Sequence, residues 1–462
     1  MNRLLILLLI AAPVAFSSPP RGSKTVYTPE DTTNTQAPAG YAPYFINYVG
    51  RHGARHVTSL QELATLDRFL KDAEISGNLT TEGDSLYVRV DRLLSIEQKY
   101  TPGDLTQKGR EEQYGIGRRM VQHYPAVFSG PGYCLNVSWT EQGRTLQSRD
   151  AFVQAIPRPA AEPPMSPDSV HLRFFDLSPA YKTFARKGPW TKALDTLLQE
   201  PAYRAGLASL VQRFFRPAYA EELLTGLPAG PPAGLPVASP PAGTPKGAAK
   251  NMNTAQAFSE AVYGAAAITA GLQYEIGASG WTPREVDIFS LFSPQEANWL
   301  ALIGSVKDFL VKGPGMDPDG IQVRNAAPLL IDLLQTTDST IRNHTNGANL
   351  RFAHAETIAP LSSLMELEGA VTSTHDLLQY PRVWKVEHIM PFSANIQWIL
   401  YRGNGPVLIK VLYNEKPARL PVVTNDFPYY RWEDVRRFYE SKLSRMGVRP
   451  GEDMYRYLLE LR

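Results

Sequence analysis

The residues best placed to do chemistry in this sequence are Arg51, His52 and Arg55, which follow a short apolar run. A guanidinium group binds two phosphate oxygens at once, because its planar donors match their spacing. A histidine between two permanent cations should have a depressed pKa, so its neutral, nucleophilic form is favoured near and below neutral pH. The pattern indicates a histidine nucleophile directed at a phosphate group. A structural arginine cluster paired with carboxylates is the alternative.

Two later segments repeat this pattern of a short apolar strand followed by polar residues. The strand predicted at 134–139 leads to Arg144, and the strand predicted at 349–353 leads to His354 and Glu356. Because the carboxyl ends of parallel strands meet at one edge of a sheet, we expect these side chains to share a crevice with His52. Positioned cations stabilise the charge of a transferring phosphoryl group. Glu356 is then placed to protonate the leaving alkoxide and afterwards to activate water.

The elements that must position these residues alternate between strands and helices at both ends of the chain. This alternation predicts an α/β fold with a mostly parallel sheet flanked by helices, and its absence in the middle predicts an inserted, mainly helical second domain. Gly53 is expected to allow a tight turn after the nucleophile. The predicted strands are 41–49, 134–139, 349–353, 395–401 and 407–413, and the predicted helices are 60–100, 107–123, 148–156, 327–341 and 432–443.

The domain boundaries follow from these elements and from composition. One stretch within the insert consists almost only of Pro, Ala, Gly and Leu, and it predicts a loop because it cannot bury enough apolar surface to fold. The predicted divisions are a signal peptide at 1–17, an α/β domain at 18–156 and 321–462, and an inserted helical domain at 157–320 that contains the loop at 225–250.

Bulk properties narrow the class of protein and its location. The 462 residues carry a formal net charge of +2, so no global basic field predicts a nucleic-acid partner. Arg3 followed by the apolar run 4–16 predicts a cleaved secretory signal, which is too short to span a bilayer comfortably. Cys134 is the single cysteine, so no intramolecular disulfide forms, which fits a bacterial periplasm or cell exterior. We expect a secreted bacterial protein without a membrane span. Its oligomeric state is not predicted.

These motifs resemble those of the histidine acid phosphatases, a branch of the histidine phosphatase superfamily marked by R-H-G-x-R-x-P near the N-terminus. Val57 stands where that branch has proline, which affects the geometry of a loop and removes no catalytic group. The His-Ala-Glu run at 354–356 replaces the usual His-Asp and resembles the multiple inositol polyphosphate phosphatases. Further matching segments are 103–109, 144–148, 151–152 and 350–354, with 391–395 and 414–416 similar to that subgroup.

The resemblance implies the histidine phosphatase fold and hydrolysis of phytate and lower inositol phosphates through a phosphohistidine. No cofactor or metal is implied, and the expected partner is the small-molecule substrate. The implied roles are nucleophile for His52, proton donor for Glu356, second phosphate-binding histidine for His354, and phosphate binding for Arg51, Arg55 and Arg144. A broad-specificity or sugar-phosphate phosphatase of the same mechanism stays an alternative. A non-enzymatic inositol-phosphate binder is disfavoured by the intact His52 and Glu356.

Substrate specificity requires cations outside the catalytic pocket. The densest basic cluster of the predicted insert supplies the candidates, although a solvated helix face is the alternative. These candidates are Lys182, Arg186, Lys187 and Lys192. His56 lies in the segment 51–57 that carries the R-H-G-x-R motif, the signature loop, and is expected either to touch substrate or to be structural.

Two competing patterns are set aside. The dipeptide His375-Asp376 matches the usual late motif, but no predicted strand leads into it, so an exposed loop or cap is expected. A zinc site built from His52, His56, His354 and Glu356 is disfavoured, because the flanking arginines would repel a dication. The spacing His-x-Glu also differs from the helical spacing of zinc motifs.

Overall fold

The computed structural model describes residues 20–29, 35–129, 132–159, 164–225, 254–449 and 451–462. The predicted signal peptide at 1–17 lies outside the described residues, as does 226–250 of the predicted loop. Thr225, the first residue assigned to that loop, ends a helix.

A mixed sheet forms the centre of the described molecule and confirms the predicted α/β class. Its order is β3-β2-β4-β1-β5-β6-β7, with β8 paired to β6. The strands from β3 to β1 are parallel, whereas β5 to β8 join antiparallel. The bounds are β1 (Ala42–Arg51), β2 (Cys134–Trp139), β3 (Met165–Pro167), β4 (Gly347–Ala353), β5 (Asn395–Arg402), β6 (Leu408–Tyr413), β7 (Lys416–Pro417) and β8 (Tyr429–Arg431).

The five predicted strands are present, each within two residues of its expected bounds. Strand β3 was not predicted, because its three residues are exposed and carry no apolar alternation. Strand β1 is buried on both faces, as a central parallel strand requires. Phe45 and Val49 pack into one hydrophobic core, and Ile46 and Tyr48 into the core on the other face.

The helices cover both faces of the sheet. Their bounds are α1 (Leu60–Ile75), α2 (Thr81–Glu97), α3 (Gln107–His123), α4 (Gly143–Val153), α5 (Ser169–Leu172), α6 (Phe174–Leu177), α7 (Pro179–Lys187), α8 (Trp190–Gln199), α9 (Pro201–Phe214), α10 (Pro217–Thr225), α11 (Ala255–Ile268), α12 (Gln273–Ala278), α13 (Pro294–Val311), α14 (Ile321–Arg324), α15 (Ala327–Asn343), α16 (Ala355–Leu364), α17 (Tyr380–Val383), α18 (Val386–Ile389), α19 (Trp432–Arg445) and α20 (Met454–Glu460).

Two predicted helices differ from the structure. The expected helix 60–100 is a pair, α1 and α2, because Gly77 adopts a φ of +67° and the Thr80 side chain accepts a hydrogen bond from the Gly83 amide to cap the second helix. The helix expected at 148–156 begins earlier, at Gly143, which places Arg144 in its first turn.

The helices of the middle segment also pack against the two helices that follow β1. Helices α1 and α2 pack against α11 and α9, and their apolar side chains join one continuous core. The short turn Gly22–Lys24 contacts α11, α13 and α18, which brings the first described residues to the same side. Among the described residues, no helix is both long and apolar enough to cross a membrane.

Candidate active site

Three neighbouring strands end at the same level, as the sequence predicts. Arg51 at the end of β1 pairs with Ala353 of β4, and Trp139 of β2 pairs with Phe352. The amide of His52 then donates to the carbonyl of Ala353 at 3.0 Å. The aligned register brings the residues that follow β1, β2 and β4 into one crevice at their carboxyl ends.

The ring of His52 is oriented for attack through one particular nitrogen. Its Nδ1 lies 3.0 Å from the carbonyl oxygen of Gly53. Because a carbonyl oxygen only accepts, Nδ1 carries the proton and Nε2 presents its lone pair. Burial, followed by the charge of Arg51, lowers the pKa of His52 well below its ordinary value. The imidazole is therefore neutral and nucleophilic across the mildly acidic range.

The second histidine is fixed by two partners. His354 Nε2 lies 2.8 Å from the hydroxyl of Thr140, and Nδ1 lies 3.4 Å from Nη2 of Arg144. Since the guanidinium only donates, Nδ1 accepts and Nε2–H donates to Thr140. Burial lowers the pKa of His354 to about 3, although the nearby Glu356 raises it. The ring of His354 meets that of His52 edge to face, 5.5 Å between centroids.

The three arginines form hydrogen bonds to carbonyl and side-chain acceptors and leave other donors available. Nη1 of Arg51 donates to the carbonyls of Ser23 and Met390, and Arg51 stacks over Phe392 at 4.8 Å. Nη1 of Arg55 donates to the carbonyl of His56 at 2.8 Å.

The alternative of a structural arginine cluster paired with carboxylates is not observed in the part of the chain that the structure describes. Within the described residues, Arg51, Arg55 and Arg144 form no ion pair with a carboxylate. The Nε atom of each is buried without a hydrogen-bond partner there. Buried donors are normally satisfied, so a bound anion is the expected partner of this arginine cluster.

Glu112 accepts hydrogen bonds from the backbone around the signature loop, a role that the sequence did not predict. Its carboxylate accepts from the amides of Tyr27 at 2.8 Å and Ala54 at 2.9 Å, and from the hydroxyl of Ser393 at 2.9 Å. Burial raises its pKa, while these donors lower it. The only sequence signal was a carboxyl in the predicted helix 107–123, which did not distinguish it from its neighbours.

Gly53 is required for a close approach rather than for the tight turn expected from the sequence. A Cβ at Gly53 would lie 2.3 Å from the carbonyl oxygen of Gly109. A Cβ at Gly109 would lie 2.0 Å from the carbonyl oxygen of Ala54. Helix α3 can therefore contact the backbone of the signature loop directly, which explains Gly109 at the end of segment 103–109.

Glu356 lies in the first turn of α16 and forms an ion pair that the sequence did not predict. Its Oε1 is 2.9 Å from Nζ of Lys312, which also lies 2.8 Å from Oδ1 of Asp308. Burial alone would raise the pKa of Glu356, but the Lys312 ammonium holds it well below its usual range. The predicted proton donor is thus ionised while it is paired with Lys312.

Lys24 adds a cation on the side of the pocket formed by the helical segment. Its Nζ donates to the carbonyl of Gly264 at 3.1 Å. Burial, with a smaller contribution from Arg55, lowers the pKa of Lys24 to about 8. Nothing in the sequence pattern marked this lysine, because it lies far from the motifs along the chain.

The other residues singled out in the sequence are His56, His375 and the basic residues of α7 and α8. The ring of His56 is buried against Tyr100, with centroids 4.4 Å apart, and its Nδ1 lies 3.3 Å from Glu97. His375 is exposed in a loop, as predicted. The predicted peripheral cations are exposed on α7 and α8, and their contact with substrate stays a prediction: Lys182, Arg186, Lys187 and Lys192.

Comparison with known proteins supports the resemblance stated from the motifs. No family model matches the chain. The chain is 22% identical over 369 residues to human multiple inositol polyphosphate phosphatase 1, a match that covers 74% of this chain and 66% of that protein, just under two thirds of its length.

Solved structures agree with the fold. The multiple inositol polyphosphate phosphatase of Bifidobacterium longum, in complex with inositol hexasulfate, superposes with a TM-score of 0.76 at 21% identity, covering 91% of this chain and 97% of that chain. The phytase from D. castellii matches with a TM-score of 0.56 at 13% identity, covering 93% and 87% respectively. The predicted histidine phosphatase fold is confirmed.

Proposed function

We propose that this chain hydrolyses phosphate monoesters of inositol polyphosphates, including phytate, through a phosphohistidine on His52. One observation carries the proposal: Nδ1 of His52 is hydrogen-bonded to the Gly53 carbonyl, which leaves Nε2 as the attacking nitrogen, and the three nearby arginines each keep a buried Nε without a partner among the described residues. This arrangement suits an in-line attack on a phosphorus atom whose oxygens the guanidinium groups hold.

In the first step, the lone pair of His52 Nε2 forms a bond to phosphorus as the bond to the leaving oxygen breaks. The leaving alkoxide takes its proton from Glu356, once that carboxyl is protonated. The hydrogen bond from Nδ1 to the Gly53 carbonyl stabilises the positive charge that develops on the ring. The arginine cluster neutralises the charge of the transferring group.

In the second step, water attacks the phosphohistidine. The Glu356 carboxylate left by the first step accepts a proton from that water, the P–N bond breaks, and its electron pair returns to Nε2 of His52. Inorganic phosphate leaves, with His52 neutral and Glu356 protonated, as at the start of the first step. Splitting hydrolysis into two displacements replaces one difficult step by two easier ones.

The choice of inositol polyphosphates over sugar phosphates rests on two lines of support. The run at 354–356 has glutamate in place of the aspartate usual in the wider branch. The proteins similar to this chain are named as multiple inositol polyphosphate phosphatases or phytases, and one of them binds inositol hexasulfate.

Export from a bacterial cell is a second, separate part of the proposal. It is supported by the charged and apolar leader and by the single cysteine of the chain. N-terminal sequencing of the protein recovered from the medium or periplasm of a bacterial host tests it. A mature N-terminus near residue 18 is expected, and an intact Met1 in the cytoplasm would contradict it.

The substrate is tested by product analysis. Purified protein incubated with phytate should release inorganic phosphate and a defined series of lower inositol phosphates. The His52→Ala variant should release none while still binding phytate. Faster turnover of glucose 1-phosphate than of phytate would favour the sugar-phosphate alternative, and binding without release by the wild type would favour a non-enzymatic binder.

A further inference from the structure

The proposed proton donor is held in a three-residue ion cluster formed by Lys312, Asp308 and Glu356. The ammonium of Lys312, just after α13, lies 2.8 Å from Asp308 and 2.9 Å from Glu356. The pair is not sealed from solvent, because 21% of the Lys312 side chain and 34% of the Glu356 side chain are exposed. A ligand entering the pocket can therefore reach both.

This cluster conflicts with the role of a general acid. A carboxyl that donates a proton must first hold one, whereas the ammonium of Lys312 stabilises the ionised form. The pKa of Lys312 lies above its usual value, because Asp308 and Glu356 more than offset the lowering by burial. Some event during substrate binding has to release Glu356 from the lysine.

The other charges around Glu356 identify what that event can be. Apart from Asp308, the described groups that interact with Glu356 are cationic or neutral, so they favour its ionised form or leave it unchanged. These groups are Lys312 of the segment after α13, His354 at the end of β4, Arg51 and Arg55 of the signature loop, Arg144 of α4, and Tyr181 of α7. A negative charge that would favour protonation of Glu356 can therefore be supplied by the substrate.

We propose that Lys312 keeps Glu356 ionised before substrate binds, and that a second phosphate of a polyphosphorylated substrate takes over the lysine and allows the carboxyl to be protonated. This inference rests on the proposed function. The phosphate under attack occupies the arginine cluster, and a phosphate on the neighbouring ring carbon binds the ammonium. The carboxyl takes a proton from solvent and passes it to the leaving alkoxide as the P–O bond breaks.

Two physical effects act in the same direction. The phosphate competes with Glu356 for the ammonium, which removes the main interaction that favours the carboxylate. The negative charge of the phosphate also repels the carboxylate, and like charges at short range favour protonation. A substrate with one phosphate supplies neither effect. Lys312 would therefore give polyphosphates an advantage in the acid-catalysed step itself, beyond tighter binding.

The wild-type enzyme tests this with two inositol substrates. The alkaline limb of kcat reports loss of the proton from the general acid in the enzyme–substrate complex. It should lie at higher pH for phytate than for an inositol monophosphate. An aryl phosphate with a good leaving group needs no proton and serves as the chemical control. This comparison is independent of whether any variant folds.

The variant Lys312→Met removes the ammonium and keeps most of the side-chain volume. The alkaline limb for the monophosphate should move up by about one pH unit, which is about a tenfold gain in kcat at a pH above the wild-type limb. KM for phytate should rise as well. The matched control is Lys307→Met, five residues earlier on α13; this lysine is exposed and its ammonium lies over the Trp190 ring, 5.4 Å away. Its pH profiles should match the wild type.

The outcomes separate the two proposals. Absence of phosphate release from phytate by the wild type would overturn both. Normal release from phytate with the same alkaline limb for both inositol substrates would overturn only the role of Lys312. The role of Lys312 would also be overturned if folded Lys312→Met showed the wild-type alkaline limb of kcat for the monophosphate.

Discussion

Nδ1 of His52 lies 3.0 Å from the carbonyl oxygen of Gly53, so the backbone of the signature loop itself selects the nitrogen that attacks. No carboxylate is needed to orient this ring. The depressed pKa of the ring, caused first by burial and then by Arg51, keeps the attacking nitrogen unprotonated. Orientation and protonation state are thus both set by the loop and its packing.

The first prediction concerns the acid limb of the pH profile. Because the pKa of His52 is lowered well below the ordinary value of about 6.5, protonation of the nucleophile should not reduce kcat/KM until the pH is far below that value. The measurement is kcat/KM with an aryl phosphate between about pH 3 and pH 7, because kcat/KM reports ionisation of the free enzyme. A decline centred near the ordinary histidine value would contradict the depressed pKa.

A second prediction concerns Glu112 and the shape of the loop. Glu112→Ala leaves the amides of Tyr27 and Ala54 without their acceptor, which should cost about 1–3 kcal/mol of unfolding free energy for each unsatisfied group. It should also lower kcat, because the backbone next to His52 is no longer fixed. Chemical denaturation and kinetics on phytate measure the two effects.

The control for Glu112 is its neighbour on the same helix, Glu111→Ala. Glu111 accepts from the hydroxyl of exposed Tyr274 and from Gln107 at the surface, so its loss should leave kcat and stability nearly unchanged. Equal losses in the two variants would show that Glu112 has no special role in the loop.

A third prediction concerns Thr140 as a positioning residue for His354. Thr140→Val removes the hydroxyl that lies 2.8 Å from Nε2 and leaves the buried ring N–H without an acceptor. We expect kcat to fall by about tenfold or more, while Thr140→Ser retains the hydroxyl and most of the activity. Failure of the serine variant to restore both kcat and the wild-type pH profile would refute a positioning role.

A fourth prediction concerns Lys24 as a cation for a peripheral phosphate. Lys24→Met should raise KM for phytate severalfold and leave KM for a small aryl phosphate unchanged, because the latter does not extend beyond the arginine cluster. Lys71→Met, on the exposed face of α1, is the matched control. The same increase in KM for both substrates would show that Lys24 has a structural role and does not bind a peripheral phosphate.

The same experiment compares Lys24 with the cations predicted from the sequence. The four exposed residues of α7 and α8 are Lys182, Arg186, Lys187 and Lys192. Reversing all four charges should raise KM for phytate if they contact its outer phosphates. If KM is unchanged by the four reversals but is raised by Lys24→Met, Lys24 is the residue that contacts an outer phosphate of phytate.

The sequence predicted the part of the site that depends on local pattern. Short apolar strands followed by Arg51, Arg144 and His354 mark the ends of strands, and parallel strands bring such ends together. The alternation of strands and helices also predicted the α/β class, and the family resemblance implied the fold. Helix 107–123 and strand 134–139 have the predicted bounds, because a Thr106 cap and a short apolar run define them locally.

The rest of the site depends on contacts between residues that are distant along the chain. Lys312 lies 44 positions before Glu356, and Lys24 contacts Gly264 across 240 positions. Neither lysine has a periodic or motif context that distinguishes it from a surface residue. Thr140 and Glu112 acquire their roles only once the strand register and the close approach of Gly53 to Gly109 are known.

The covalent intermediate tests the central claim most directly. Wild-type protein mixed briefly with ³²P-labelled phytate and quenched in alkaline denaturant should carry one labile phosphate on the peptide that contains His52, because phosphohistidine survives base and decays in acid. His52→Ala should carry none. Turnover of phytate by the wild type with no phosphate on that peptide, or label on another residue, would contradict the mechanism.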